Sequence, residues 1–208
     1  IKNFIFNEHE LLENFNLENI VSNYGNFDIK LYNKENNSIP IFLDFLKAST
    51  VFKNDNSSNY ISENNHDFLT ESSLIKHLQN IDILLRPYGI SKINYDIIMG
   101  SANSYTNFKY SLNPRNFLYA LNGELDITLT IPNNKKYLHI EKDYINNEFY
   151  SKIDIHNVTD NFLKDYSKIK FMKIILNKGD LLYIPSYWFY SIKFSSYDSM
   201  LLSFKYDT

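Results

Sequence analysis

The sequence predicts a mainly β fold with helices gathered toward its N-terminal side, and three observations carry that prediction. Segments such as 27–32, 127–131 and 200–206 alternate apolar with polar residues, the period of a half-buried strand. Tyr and Phe contribute 17 and 16 residues, and aromatic rings pack well on a pleated surface. Gly and Pro stand at the ends of these runs, most clearly in 179–194, GDLLYIPSYWFYSIKF. That stretch reads as a Gly-Asp turn, an apolar strand, a Pro-Ser break and an aromatic strand, together a β-hairpin with a bent edge.

In chain order, Leu11, Leu12, Phe15, Leu17, Ile20, Val21 and Tyr24 fall at three- and four-residue spacing, which predicts one or two short helices over 7–25 stopped by Gly25. A strand follows over 27–32. Ser38, Ile39 and Pro40 introduce a short helix through about Ala48, with Phe42, Phe45 and Leu46 on its inner side. Residues 54–65, dense in Asn, Ser and Asp, read as a loop. Ser72 or Ser73 can cap a helix carrying Leu74, Ile75 and Leu78. Beyond Pro87 and Gly89, strands are predicted near 93–99, 117–121, 127–131, 171–176, 181–184, 187–194 and 200–206. Residues 133–167 read as an insertion of loops with one helix near 160–166.

At 208 residues and 44% hydrophobic content the chain is long enough for one sizeable core, so a single domain over 1–208 is expected. Within it, 1–90 is the N-terminal elaboration and 91–208 the β core with its insertion at 133–167. A net charge of -3 argues against general nucleic-acid binding, which draws on an excess of Lys and Arg. Without cysteine there is no disulfide framework and no thiolate metal site. No run of about 18 apolar residues predicts a membrane span, and no charged-then-apolar opening predicts a signal peptide. Ile1-Lys2-Asn3 reads as the middle of a strand, so the natural start is expected upstream.

Two stretches carry a resemblance. One is GD, a short strand, IP and then an aromatic pair, at Gly179, Asp180, Ile184, Pro185, Trp188 and Phe189; the other is the frame of Asn116 followed seven residues later by Gly123. On these residues the chain resembles the Jumonji-C and cupin-like family. The resemblance implies a double-stranded β-helix (jelly roll) with N-terminal helices, the fold of iron and 2-oxoglutarate dependent oxygenases. Phrases such as PRNFLYALNGELDITLTIP and YWFYSIKF, in a composition rich in Asn, Lys, Ile and Tyr, are similar to the cupin-like proteins of large DNA viruses.

In the family an HxD pair six and four residues before the Asn, and a His in the closing hairpin, hold iron. Here those positions are Tyr110, Leu112 and Tyr190, and the basic co-substrate residue is Leu125. Leucine cannot bind a metal, so the 2-His-1-carboxylate triad, and with it any metal or cofactor, is expected to be absent. Carrying over the family's inward positions places Tyr110, Leu112, Asn116 and Tyr190 inside the barrel, with Trp188 beside them. Lys205 shares strand parity with Ser203, which takes the place of a co-substrate contact. These residues form either a plug, with the Tyr hydroxyls bonded to each other or to Asn116, or an open pocket. An inward Lys205 would need an anion, a Tyr hydroxyl or water.

The function so implied is a non-catalytic binding or structural module, a viral pseudo-oxygenase. It is expected in the cytoplasm or a virion, with a protein partner or self-association favoured over a small molecule. Two alternatives stand beside it. One is an enzyme of altered chemistry using a metal-free polar barrel pocket. The other is a residual Fe(II) and 2-oxoglutarate hydroxylase with ligands relocated to His139, Glu141 or His156, since His139-Ile140-Glu141 and Asp154-Ile155-His156 supply two-thirds of a triad within the insertion. His9, His66 and His77 read as ordinary surface histidines.

Overall fold

The computed structural model describes residues 1–2, 4, 15–34, 39–143 and 148–207. The elements are α1 (Leu17–Tyr24), β1 (Asp28–Asn33), β2 (Ile41–Asp44), α2 (Phe45–Asn54), β3 (Tyr60–Ser62), α3 (His66–Glu71), α4 (Ile75–Ile81), β4 (Lys92–Gly100), β5 (Lys109–Tyr110), β6 (Arg115–Asn122) and β7 (Glu124–Thr130). They continue as β8 (Ile140–Asp143), β9 (Glu148–Ser151), α5 (Leu163–Tyr166), β10 (Met172–Asn177), β11 (Leu181–Pro185), β12 (Phe189–Phe194) and β13 (Met200–Asp207).

Two antiparallel sheets face each other, in the orders β11-β6-β13-β4-β3-β1-β2 and β10-β7-β12-β5-β9-β8. The set β11-β6-β13-β4 against β10-β7-β12-β5 is a cupin jelly roll, with β3, β1 and β2 widening one sheet and β9 and β8 the other. Alternation sorts each strand between two layers. On β13, Leu202, Phe204 and Tyr206 turn outward with Tyr95, Ile97 and Met99 of β4 and meet Ile20, Phe45, Phe68 and Leu78 from the helices. Leu201 turns inward and joins Leu118, Leu125, Ile127, Tyr190 and Ile192 between the sheets. A third cluster, including Phe108, Leu138, Phe149, Ile153 and Phe189, lies under the segment that covers the outer face of β12.

One buried carboxylate fastens the helical side to the sheet. Asp82, just after α4, accepts the hydroxyls of Tyr95 on β4 (2.7 Å) and Tyr206 on β13 (2.8 Å) and pairs with Arg86. Burial is the main reason the Tyr95 and Tyr206 phenols are pushed well above their ordinary range, and the Asp82 charge adds to it.

The structure departs from the sequence reading in several elements. Neither α3 nor β5 was expected, and α4 follows Leu74 with no capping side chain, so neither Ser72 nor Ser73 is its N-cap. Residues 41–44 form β2, and the helix starts only at Phe45, because Asp44 is the N-cap whose carboxylate accepts the Lys47 N–H at 2.8 Å. Phe45 is the buried anchor there, while Phe42 and Leu46 are 60% and 49% exposed. The loop expected over 54–65 contains β3, which pairs with β1 and β4. The insertion carries a β8–β9 hairpin as well as the short helical turn ending in α5. Finally, 179–194 is not a hairpin: β11 pairs with β6 in one sheet and β12 with β7 and β5 in the other. Pro185 and Tyr187, the latter at φ 65°, turn the corner between sheets. Residues 7–14 of the expected first helix lie outside the described residues.

Candidate functional site

Register builds the inner wall. In the larger sheet, Lys205 stands opposite both Asn116 and Asn94, and Ser203 opposite both Leu118 and Asp96. In the smaller sheet, Leu129, Tyr190, Lys109, Tyr150 and Glu141 form one row across β7, β12, β5, β9 and β8. Residues directly opposite share a face. One half of the interior is therefore apolar, around Leu118, Ala120, Leu125 and Ile127, and the other half is polar.

Within the polar half, Lys109 Nζ lies 2.7 Å from Glu63 Oε2, and both side chains are largely buried. The Asp96 carboxylate accepts the backbone N–H groups of Asn64 (2.8 Å) and Asn65 (2.7 Å). Burial pushes its pKa up to about 6, against those hydrogen bonds and the charge of Lys205. Asn116 Nδ2 and Oδ1 and Ser203 Oγ are buried without a hydrogen-bond partner. Such orphaned groups are rare in folded interiors and call for an explanation.

Of the six residues anticipated from sequence, Asn116, Tyr190 and Lys205 lie on this inner face, and Trp188 packs half-buried against the same cluster. Tyr110 does not. It pairs with Phe189, so its ring turns to the outer cluster, stacked on Phe149 at 5.1 Å. Leu112 lies beyond β5 and is 47% exposed. A side-chain period of two makes a one-residue change of register a change of face, and here it puts Lys109 inside in place of Tyr110. A Tyr110–Tyr190 hydroxyl pair is therefore not formed. Lys109, Glu63 and Asp96 were missed, although alternation along β4 (Asn94, Asp96, Ile98) would have marked Asp96.

Where β1 and β3 face β5 and β9, the sandwich edge opens into a cleft of about 900 Å³. His156 and Glu141 reach it. His139 instead bonds Asp165 at 2.9 Å on the insertion, while His156 Nε2 meets Ser191 Oγ at 3.1 Å. The relocated ligand set of His139, Glu141 and His156 thus does not converge, and among the described residues no three His, Cys, Asp or Glu side chains are placed to hold one metal. The donor set present does not fit an iron centre.

No described helix is long and apolar enough to cross a membrane. No curated protein matches the chain. Residues 9–208 match the family model of the cupin-like domain. With two antiparallel sheets in jelly-roll order and a match over nearly its whole length, the chain belongs to the cupin-like domain family.

Proposed function

We propose that the chain is a non-catalytic cupin-like binding module whose iron ligands have been lost. The observation that carries this reading is the Lys109–Glu63 ion pair, 2.7 Å long, which lies beside Tyr190 on the inner face where the resemblance implies iron. An ammonium repels a cation, and a buried Lys–Glu pair holds its own partner charge in place. The test is thermal stability of the purified protein with Mn(II) or Fe(II), with and without 2-oxoglutarate, alongside elemental analysis. A ligand of the native state raises apparent stability by roughly 2.7 kcal/mol at a hundredfold excess over its dissociation constant. No bound iron and no shift is the expected result. A metal-dependent shift that 2-oxoglutarate enlarges would overturn the reading.

A second reading, a metal-free enzyme with a polar pocket, is favoured by the orphaned Asn116 and Ser203 groups beside Lys205. It predicts that a small carboxylate such as succinate stabilises the protein and that Lys205→Met removes the effect. Equal behaviour of the two proteins would dismiss it.

A further inference from the structure

The cleft at the sandwich edge holds charges that neither reading uses. Its corner is built on Tyr105, whose backbone bridges Lys193 of β12 and whose ring lies 4.1 Å from the His156 imidazole, centroid to centroid. The Lys34 ammonium sits over the same ring. Lys34 is half-buried, and desolvation brings its pKa down to about 8 against the raising effect of Asp154.

The carboxylate at this corner is already engaged. Asp154 Oδ2 accepts the Tyr105 hydroxyl at 2.6 Å, and Oδ1 accepts the backbone N–H groups of His156 and Asn157 at 2.9 and 3.2 Å. His156 adds no charge at neutral pH. Ser191 Oγ donates its proton to the Thr106 carbonyl at 2.7 Å, so it accepts from His156 Nε2–H. Desolvation holds the imidazole pKa down near 4. Lys34 therefore feels two carboxylates, Asp154 and Asp55, whose oxygens are taken by other donors, and the opposing charge of Lys193, and among the described residues it forms an ion pair with neither carboxylate. Tyr32 and Tyr150, both partly exposed, supply flat aromatic surface in the same cleft.

We propose that this cleft binds a small organic anion bearing a ring, its charged group held by Lys34 and its ring laid against Tyr32 and Tyr150. A desolvated ammonium without a paired carboxylate gains most from an anion delivered into the same low-dielectric corner. Aromatic walls then select for a body that is flat and apolar. The proposal rests on the chain being a binding module, and its failure is told apart from failure of that reading because no metal or 2-oxoglutarate enters its test.

The test is titration of the whole chain with phenyl phosphate and with benzoate, followed by calorimetry and amide resonances. Benzyl alcohol serves as the neutral analogue and inorganic phosphate as the ringless one. Saturable binding of at least one ring anion is expected, weaker by about tenfold or more for benzyl alcohol and for inorganic phosphate, a difference of about 1.4 kcal/mol. Which of phenyl phosphate and benzoate binds tighter separates a phosphate ligand from a carboxylate. Lys34→Met is expected to lose binding to the same extent, and Lys34→Arg, which keeps the charge, to restore most of it. Absence of saturable binding by the unaltered chain overturns the proposal, and so does equal affinity for benzyl alcohol. Unchanged affinity in a folded Lys34→Met protein does the same.

Discussion

Gly123 shows how one residue of the recognisable frame is physically required. It turns β6 into β7 at φ +72°, a conformation that residues with a Cβ rarely adopt, and a Cβ there would lie 2.3 Å from Ser199 Oγ and 2.9 Å from Ser199 Cα. Gly123→Ala is therefore expected to cost about 1–3 kcal/mol in urea unfolding, and a neutral result would mean that the turn relaxes freely. The Lys109–Glu63 pair behaves differently, because its energy lies in the match of two charges. Lys109→Met or Glu63→Leu alone strands a buried charge, at a cost of about 3–5 kcal/mol. The double substitution should recover most of that loss, and additive single costs in the cycle would show that the pair is not coupled.

At the level of elements, caps and pairing decided what composition could not. The Ser38-Ile39-Pro40 signal pointed to a helix, but the side chain that caps is Asp44, six residues later than Ser38. Asp44→Ala should lower the urea midpoint through loss of the bond to the Lys47 N–H, and an unchanged midpoint would show that the cap adds nothing. Strand β3 was hidden inside a polar segment because its three residues gain their stability from ladders to β1 and β4, partners remote in sequence. The division of β11 and β12 between sheets has the same origin. Gly179 at φ +85° and Asp180, which accepts the Asn177 N–H and pairs with Lys2, make the turn that the sequence announces. The following Pro-Ser break is read locally as a bend, yet the strand beyond it finds β5 and β7 rather than its own neighbour.

Over the whole molecule, two titrating groups on opposite sides of β12 set opposing dependences on pH. Asp96 has its pKa raised to about 6, so between about pH 4 and 6 the folded state holds the proton that the unfolded state releases, and stability falls as pH rises. His156 has its pKa lowered to about 4, so over about pH 4 to 6.5 the unfolded state holds the extra proton and stability rises with pH. The two slopes oppose each other in the unaltered protein. Asp96→Asn should expose a stability that climbs from pH 4 to 6.5, and His156→Gln one that declines over pH 4 to 6. Urea midpoints across that range test both, and a variant curve parallel to the unaltered one would sink the account for that residue.

The sequence by itself determined the mainly β class, the strands β1, β4, β6, β7 and β10 to β13, the turn at Gly179, and the resemblance that the family match supports. Those features are local: alternation, turn chemistry and short frames are written in neighbouring residues. Only the tertiary structure decided which face each site residue takes and which strands share a sheet. Tyr110 shows why. Its position in the frame is correct by counting, yet a two-residue strand has its register set by β12 and β9, and that register turns Tyr110 outward and Lys109 inward. Glu63, 46 residues away, then comes to Lys109, and residues as distant as Lys34, Tyr105, Asp154 and His156 meet in one cleft. Neither meeting leaves a periodic trace, because each is made by the closing of the two sheets over one another.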